Sequence, residues 1–125
     1  MSTEELPADV CAFIFAYIPS VGHMEALVLT VEEPDGAWTV EKVASRLFVP
    51  DTKAGAVLRD LATAGLIEPA DAPDTWRFGQ QATLAEMAQR AVRLYRKTLV
   101  PMTAVIRSNA GPGGQLAGAF RFRKE

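Results

Sequence analysis

The stretch AWTVEKVASRLFVPDTKAGAVLRDLATAGLIE, residues 37–68, has the pattern of two short helices joined by a tight corner. Thr39 is a favourable N-cap for the first helix, because its hydroxyl can accept a hydrogen bond from a backbone N–H of the first turn. Residues 48–50, which end in proline, form the corner. Apolar residues at helical spacing predict two inward faces, with Val40, Val43, Ala44 and Leu47 in the first helix and Ala54, Val57, Leu58 and Leu61 in the second.

The second of these helices has recognisable ends and is followed by a small hairpin. Asp51 or Thr52 is expected to cap its start, and Gly65 is expected to end it in the left-handed conformation. Residues 66–68 and 76–78 have the apolar and aromatic character of two short strands. The loop between them, PADAPDT, is rich in Pro and Asp and therefore predicts a turn.

Two helices are predicted before this segment. Pro7 suits the first turn of an N-terminal helix, and Pro19 ends it. Ser20 is a natural N-cap for the next helix, which runs towards the turn EEPDG. The inward faces are predicted to contain Val10, Phe13, Ile14 and Tyr17 in the first helix and Met24, Leu27, Val28 and Val31 in the second.

Residues 83–108 predict a long C-terminal helix, with a kink or break near residues 97–100 because Pro101 removes a hydrogen bond and clashes with the preceding turn. The helix is longer than one small domain needs to cover itself, so we expect it to pack on a second copy of the chain. Residues 109–125 contain GPGG and predict a flexible connection to a short terminal helix. The predicted dimer interface consists of Leu84, Met87, Ala91, Leu94, Leu99, Met102 and Ile106.

Length and composition predict one domain over residues 1–125, since 125 residues with 49% hydrophobic content suit a single core. The start MSTEELP is acidic, and the apolar run at 10–18 is too short to span a bilayer. A cytoplasmic location is therefore expected. The single cysteine, Cys11, excludes a disulfide within the chain and is expected to be a buried, inert thiol.

Charge is distributed very unevenly along the chain. Residues 1–38 carry seven acids and no Lys or Arg, whereas residues 79–125 carry eight bases and two acids. Arg90, Arg93 and Lys97 lie on one side of the long helix at spacings of three and four. A solvated basic face is the simplest interpretation of such a run, but the asymmetry also predicts that the two ends of the chain dock on each other. A nucleic-acid patch is the competing interpretation.

The order of these elements resembles a winged helix-turn-helix of the kind found in MarR-like bacterial transcription regulators. The matching features are the capped helix TVEKVASRL, the corner FVPDT, the helix ending LATAGLIE and the aromatic strand WRF. The flanks SVGHMEALVL and AFRFRKE are also similar to small stand-alone bacterial winged-helix proteins. The resemblance implies a mostly α fold with a small β-hairpin (α+β), a winged-helix core over residues 20–78, an N-terminal helix and a long C-terminal dimerisation helix.

The resemblance also implies that the helix after the corner enters the major groove of DNA. Its outward face presents Thr52, Lys53 and Arg59, and Arg77 follows in the second strand; these four are the predicted DNA-binding residues. Gly55 and Ala56 occupy positions where MarR-like readers usually carry Ser, Thr or Arg, and neither can make a bidentate contact to a base. Asp60 and the acidic wing loop, with Asp71 and Asp74, are expected to weaken binding.

Gly55 has two alternative explanations, because a glycine inside a helix costs about 1 kcal/mol relative to alanine. The first is that it lets the helix sit tightly on its neighbour. The second is that Thr52, Gly55, Ala56 and Arg59 form a smooth patch for a protein partner or a phosphate backbone.

The sequence contains little that predicts catalysis. His23 and Glu25 resemble a fragment of the zinc-deaminase signature, but the paired cysteines of that signature are missing. GPGG lacks the lysine and hydroxyl residue of a phosphate loop. One His and one Cys are too few for a nitrogen and sulfur metal site, so no enzyme activity, metal or cofactor is expected.

Two functional hypotheses follow. The first is a dimeric winged-helix transcription regulator that binds DNA. The second is a winged-helix module that uses the same scaffold to bind a protein partner, and the low positive charge of the helix and wing favours it.

Overall fold

A computed structural model describes residues 6–110 of the chain, which are mostly helical and include one two-stranded antiparallel hairpin. This arrangement confirms the α+β class. The elements of the described residues are α1 Ala8–Tyr17, α2 Val21–Glu32, α3 Val40–Leu47, α4 Asp51–Ala64, β1 Ile67–Pro69, β2 Trp76–Phe78, α5 Ala82–Lys97 and α6 Leu99–Ala110.

Helices α1 and α2 begin where their proline and serine signals predicted. Pro7 directly precedes α1, and Ser20 Oγ accepts a hydrogen bond from the His23 backbone N–H at 3.2 Å at the start of α2. No single helix of the described residues is long and apolar enough to cross a membrane. Helices α1 and α2 reach that length and composition only together, and they meet at 107° with most of their apolar side chains buried or half-buried.

The corner between α3 and α4 is formed by a left-handed residue followed by a proline. Thr39 caps α3 as predicted, accepting a hydrogen bond from the Lys42 N–H at 3.1 Å, and α3 ends at Phe48 with φ 59° and ψ 48°. The predicted capping of α4 by Asp51 or Thr52 is wrong. Pro50 occupies the N-cap position and makes no side-chain capping bond, because α4 already begins at Asp51.

Helix α4 ends as predicted at Gly65, whose φ of +85° is left-handed. The predicted first strand is displaced by one residue, since pairing begins at Ile67 opposite Phe78. Leu66 does not begin the strand because its N–H still bonds to the Leu61 carbonyl at 3.0 Å, within the helix end. The second strand lies at the predicted residues, Trp76–Phe78.

The hairpin is extended by a contact that the sequence did not predict. Trp38 forms an isolated antiparallel bridge with Trp76, and each backbone N–H donates to the other's carbonyl at 2.8 Å. The Trp38 side chain is fully buried. This bridge fixes the hairpin to the residues that lead into α3.

The predicted break in the C-terminal helix is confirmed. Helix α5 ends at Lys97, and α6 begins at Leu99 after Thr98, whose hydroxyl donates to the Leu94 carbonyl at 2.8 Å. Pro101 then lies in the first turn of α6, where its missing N–H removes no intrahelical bond. The GPGG segment and the expected terminal helix lie outside the described residues.

The break lets α6 fold back on the same chain, so that α1 packs against both α5 and α6. Ala91, Met102 and Ile106 are consequently fully buried in the chain's own core. Of the predicted dimer residues, Leu99 is 50% exposed, and the remaining three, Leu84, Met87 and Leu94, are half-buried. The dimer remains a prediction, and the side chains accessible to it are these four.

Candidate nucleic-acid interface

Helix α4 is held by its inward face and leaves its other face open. Ala54, Val57, Leu58 and Leu61 are buried as predicted. The outward residues Thr52, Lys53 and Arg59 are exposed. The structure therefore brings three of the four predicted DNA-binding residues together on one helical surface.

Gly55 lies on this surface without a packing reason to be glycine. A Cβ added there would meet its nearest neighbour, Val40 Cγ2, at 3.9 Å, which is an ordinary van der Waals contact. Tight packing of α4 on α3 therefore does not require a glycine. The other explanation, a smooth patch that another molecule can approach closely, stays a prediction.

Arg77, the fourth predicted DNA-binding residue, is engaged within the hairpin. Its Nε donates to Glu68 Oε2 at 3.0 Å, and both side chains are half-buried. The other oxygen of Glu68 accepts the Gln80 backbone N–H at 3.3 Å. Glu68 thus neutralises the charge of Arg77 within the hairpin.

Two further bases extend the surface, and sequence reasoning missed them. Lys42 Nζ lies 4.6 Å from the centroid of the Trp38 ring, and the guanidinium carbon of Arg46 lies 5.4 Å from it. Both side chains are exposed on α3. Their spacing of four residues after a tryptophan was the available signal, since bases one turn apart share a helical face and stack on aromatic rings.

The exposed Asp60 is hydrogen-bonded to His23, the one histidine of the chain. His23 Nε2 lies 2.8 Å from Asp60 Oδ2, and His23 Nδ1 lies 2.6 Å from Ser20 Oγ. His23 is buried and Asp60 is exposed. The carboxylate that was expected only to repel DNA also joins α4 to the start of α2.

The charges of the whole surface nearly cancel. The wing loop is acidic, and one of its residues, Asp74, takes a left-handed φ of 59°. The exposed bases of α3 and α4 are Lys42, Arg46, Lys53 and Arg59, and the exposed acids of α3, α4 and the wing loop are Glu41, Asp51, Asp60, Asp71 and Asp74.

Phe48, at the corner, is the most unusual residue of this surface. It is 93% exposed, although it is a large aromatic residue, and its φ of 59° is one that bulky side chains rarely adopt. Residues held in sparsely populated backbone conformations tend to cluster at functional sites. Phe48 therefore adds an apolar projection beside the cations.

The predicted docking of the acidic and basic ends takes place within the chain. Arg90 contacts Asp9, with Nη1 2.5 Å from Oδ2 and Nη2 3.4 Å from Oδ1, and the guanidinium lowers the pKa of the Asp9 carboxyl. Arg96 forms an ion pair with Glu32. These contacts join α1 and α2 to α5.

Glu25, which was considered with His23 as part of a zinc signature, accepts a hydrogen bond from the Tyr95 hydroxyl. Burial of Tyr95 and, second, its hydrogen bond to Glu25 raise the pKa of the Tyr95 hydroxyl.

The described residues contain no cluster of three or more His, Cys, Asp or Glu that could hold a metal ion. Cys11 is half-buried and forms no disulfide.

Comparison of the chain with family models, curated proteins and solved structures gives no match.

Proposed function

We propose that the chain is a winged-helix protein that binds DNA through the exposed face of α4. The observation that carries the proposal is the order and exposure of its parts. The Thr39-capped helix α3 is joined to α4 by a tight corner, α4 has an open polar face and ends at Gly65, and a hairpin follows it. DNA-binding winged helices place that second helix in the major groove.

The charges of the surface define what kind of DNA binding is expected. Lys42 and Arg46 supply phosphate contacts beside Lys53 and Arg59, and Gly55 permits close approach of a sugar-phosphate strand. Each phosphate neutralised contributes about 0.9 to the slope of log K against log salt, and one chain offers about four such bases, so the slope should be at most about 4 per chain and about twice that for a dimer. Since Gly55 and Ala56 cannot hydrogen-bond to bases, discrimination between sequences should be small.

The test is fluorescence anisotropy with a pool of random duplexes over a salt series. We expect binding at about 50 mM salt that weakens steadily as salt is added. A variant with Lys53→Ala and Arg59→Ala should bind DNA at least about tenfold more weakly than the parent. Its matched control, Arg93→Ala with Lys97→Ala, removes the same charge from α5 and should bind like the parent. Absence of binding by the parent at low salt would contradict the proposal.

A second function, docking on a protein partner, is favoured by Phe48. An exposed phenylalanine adds no charge for phosphate binding, whereas aromatic anchors dominate many protein interfaces. The test is a photo-crosslinking amino acid at position 48, with position 45 of α3 as the exposed control. The expected result is a partner that crosslinks from position 48 and not from position 45. Once purified, that partner should bind the Phe48→Gly variant at least about tenfold more weakly than the parent.

A further inference from the structure

A groove runs between the start of α1 and the C-terminal half of α5. It is an open surface depression with a volume of about 620 Å³. None of its lining residues belongs to α3, α4 or the hairpin, so it is separate from the candidate DNA-binding surface. The lining consists of Pro7, Val10 and Leu94, which are apolar, and of Arg90, Arg93, Arg96 and Lys97.

Two of the four bases have acidic partners and two do not. Arg90 is paired with Asp9, and Arg96 is paired with Glu32. Within the described residues, Arg93 and Lys97 form no ion pair, and both side chains are exposed. Among residues 6–110, the groove therefore presents two positive charges without an acidic partner, four residues apart on one helix, beside an apolar wall.

This combination differs from a simple solvated basic face. Bases on such a face point into open water, whereas Arg93 and Lys97 border a concave volume whose accessible apolar floor consists of the half-buried Pro7 and Leu94, since Val10 is only 1% exposed. A small polar anion would leave that apolar floor in contact with water. A neutral apolar molecule would leave the two cations without a partner.

We propose that the groove binds a fatty carboxylate, with its head group on Arg93 and Lys97 and its hydrocarbon chain along Pro7 and Leu94. The guanidinium of Arg93 can bond a carboxylate through two parallel N–H groups. The volume lies within the range of small-molecule sites, which are mostly apolar with a few charged groups. This inference concerns a different surface from the DNA proposal and does not depend on it.

Titration of the full-length chain with decanoate, followed by calorimetry and by amide chemical shifts, tests the inference. We expect one saturable site, with the largest shifts at the amides of Val10 and of residues 93–97. The variant Arg93→Gln with Lys97→Gln should bind decanoate at least about tenfold more weakly than the parent, because it keeps hydrogen-bonding side chains but loses both charges. The matched control, Lys53→Gln with Arg59→Gln, should bind decanoate like the parent.

Two comparison ligands separate the two halves of the site. Butyrate carries the head group without a long chain, and decyltrimethylammonium carries the chain with the opposite charge; neither should bind measurably at decanoate's saturating concentration. Equal binding of decyltrimethylammonium, or undiminished decanoate binding by the Arg93 and Lys97 variant, would overturn the inference. Binding of an oligoglutamate peptide in place of decanoate would overturn it as well and assign the groove to an acidic protein segment.

Discussion

His23 Nε2 lies 2.8 Å from Asp60 Oδ2, and this contact joins the first turn of α2 to the exposed face of α4. The other ring nitrogen of His23 is bonded to Ser20 Oγ, so both nitrogens of a buried imidazole have partners. Asp60 thus has a structural role on the surface proposed to meet DNA.

Replacing Asp60 with alanine should lower the free energy of unfolding by about 1–3 kcal/mol, because His23 then retains a buried nitrogen without a partner. Urea denaturation measures the change. The control is Asp74→Ala, which removes an exposed carboxylate of the wing loop and should alter the value much less. Equal stability of the Asp60 variant and the parent would show that the contact contributes nothing to the fold.

Replacing Gly55 with alanine should raise the free energy of unfolding by about 1 kcal/mol, because alanine is the better helix former and the added methyl group has room. Thermal unfolding gives the comparison. Gly65→Ala is the opposite control and should destabilise the fold, since that residue has a φ of +85°. Loss of stability in the Gly55 variant would restore the explanation that α4 needs a glycine for packing.

Replacing Phe48 with glycine should stabilise the fold by about 0.5–1 kcal/mol. A left-handed conformation costs an L-residue about 1–2 kcal/mol, and the greater freedom of glycine in the unfolded chain offsets part of the gain. Little burial is lost, because the side chain is 93% exposed. Phe48→Ala keeps the Cβ atom and should show no comparable gain; if it stabilises the fold equally, the backbone strain is not the cause.

The ion pair of Asp9 and Arg90 should make stability depend on pH in the acid range. Arg90 lowers the pKa of Asp9 below its usual 3.8, so the unfolded chain binds a proton more readily than the folded one. The stabilisation is fully present well above pH 3.8 and is lost as the pH falls through the lower folded value. Titration of the Asp9 carboxyl by NMR should show its pKa rise in Arg90→Gln; an unchanged value would exclude the pair in solution.

We expect a homodimer that uses the apolar side chains left exposed where α5 and α6 meet. Leu99 is 50% exposed and Val100 is 76% exposed. Light scattering at tens of micromolar should give twice the mass of the chain, and Leu99→Glu should reduce it. Met102→Leu alters only a fully buried residue and should leave the mass unchanged. If the parent chain has the mass of a monomer, the dimer prediction is wrong.

Helix positions were predictable because caps, prolines and apolar spacing act locally. Thr39, Ser20 and Gly65 mark ends that depend on a few neighbouring residues. The contact of Trp38 with Trp76 and that of His23 with Asp60 were not predictable, because each joins residues 37 or more positions apart. In the candidate site, too, the features that depend on tertiary contacts were not predictable from local sequence.

The α4 surface illustrates this limit. Its exposed residues followed from the spacing of the buried ones, whereas the loss of Arg77 to Glu68 depended on the register of the hairpin. The return of α6 onto α1 also depended on tertiary packing, which is why the apolar stripe predicted a second copy and the structure places much of it in the core.

The Trp38–Trp76 bridge also determines what intrinsic fluorescence can report. The chain has two tryptophans, both in this bridge, and two tyrosines, Tyr17 in α1 and Tyr95 in α5. Tryptophan emission therefore senses the hairpin and the start of α3, whereas tyrosine emission senses the other side of the core. A duplex placed against α3 and α4 should change the emission by drawing Lys42 and Arg46 away from the Trp38 ring, and a ligand seated between α1 and α5 should leave the spectrum almost unchanged.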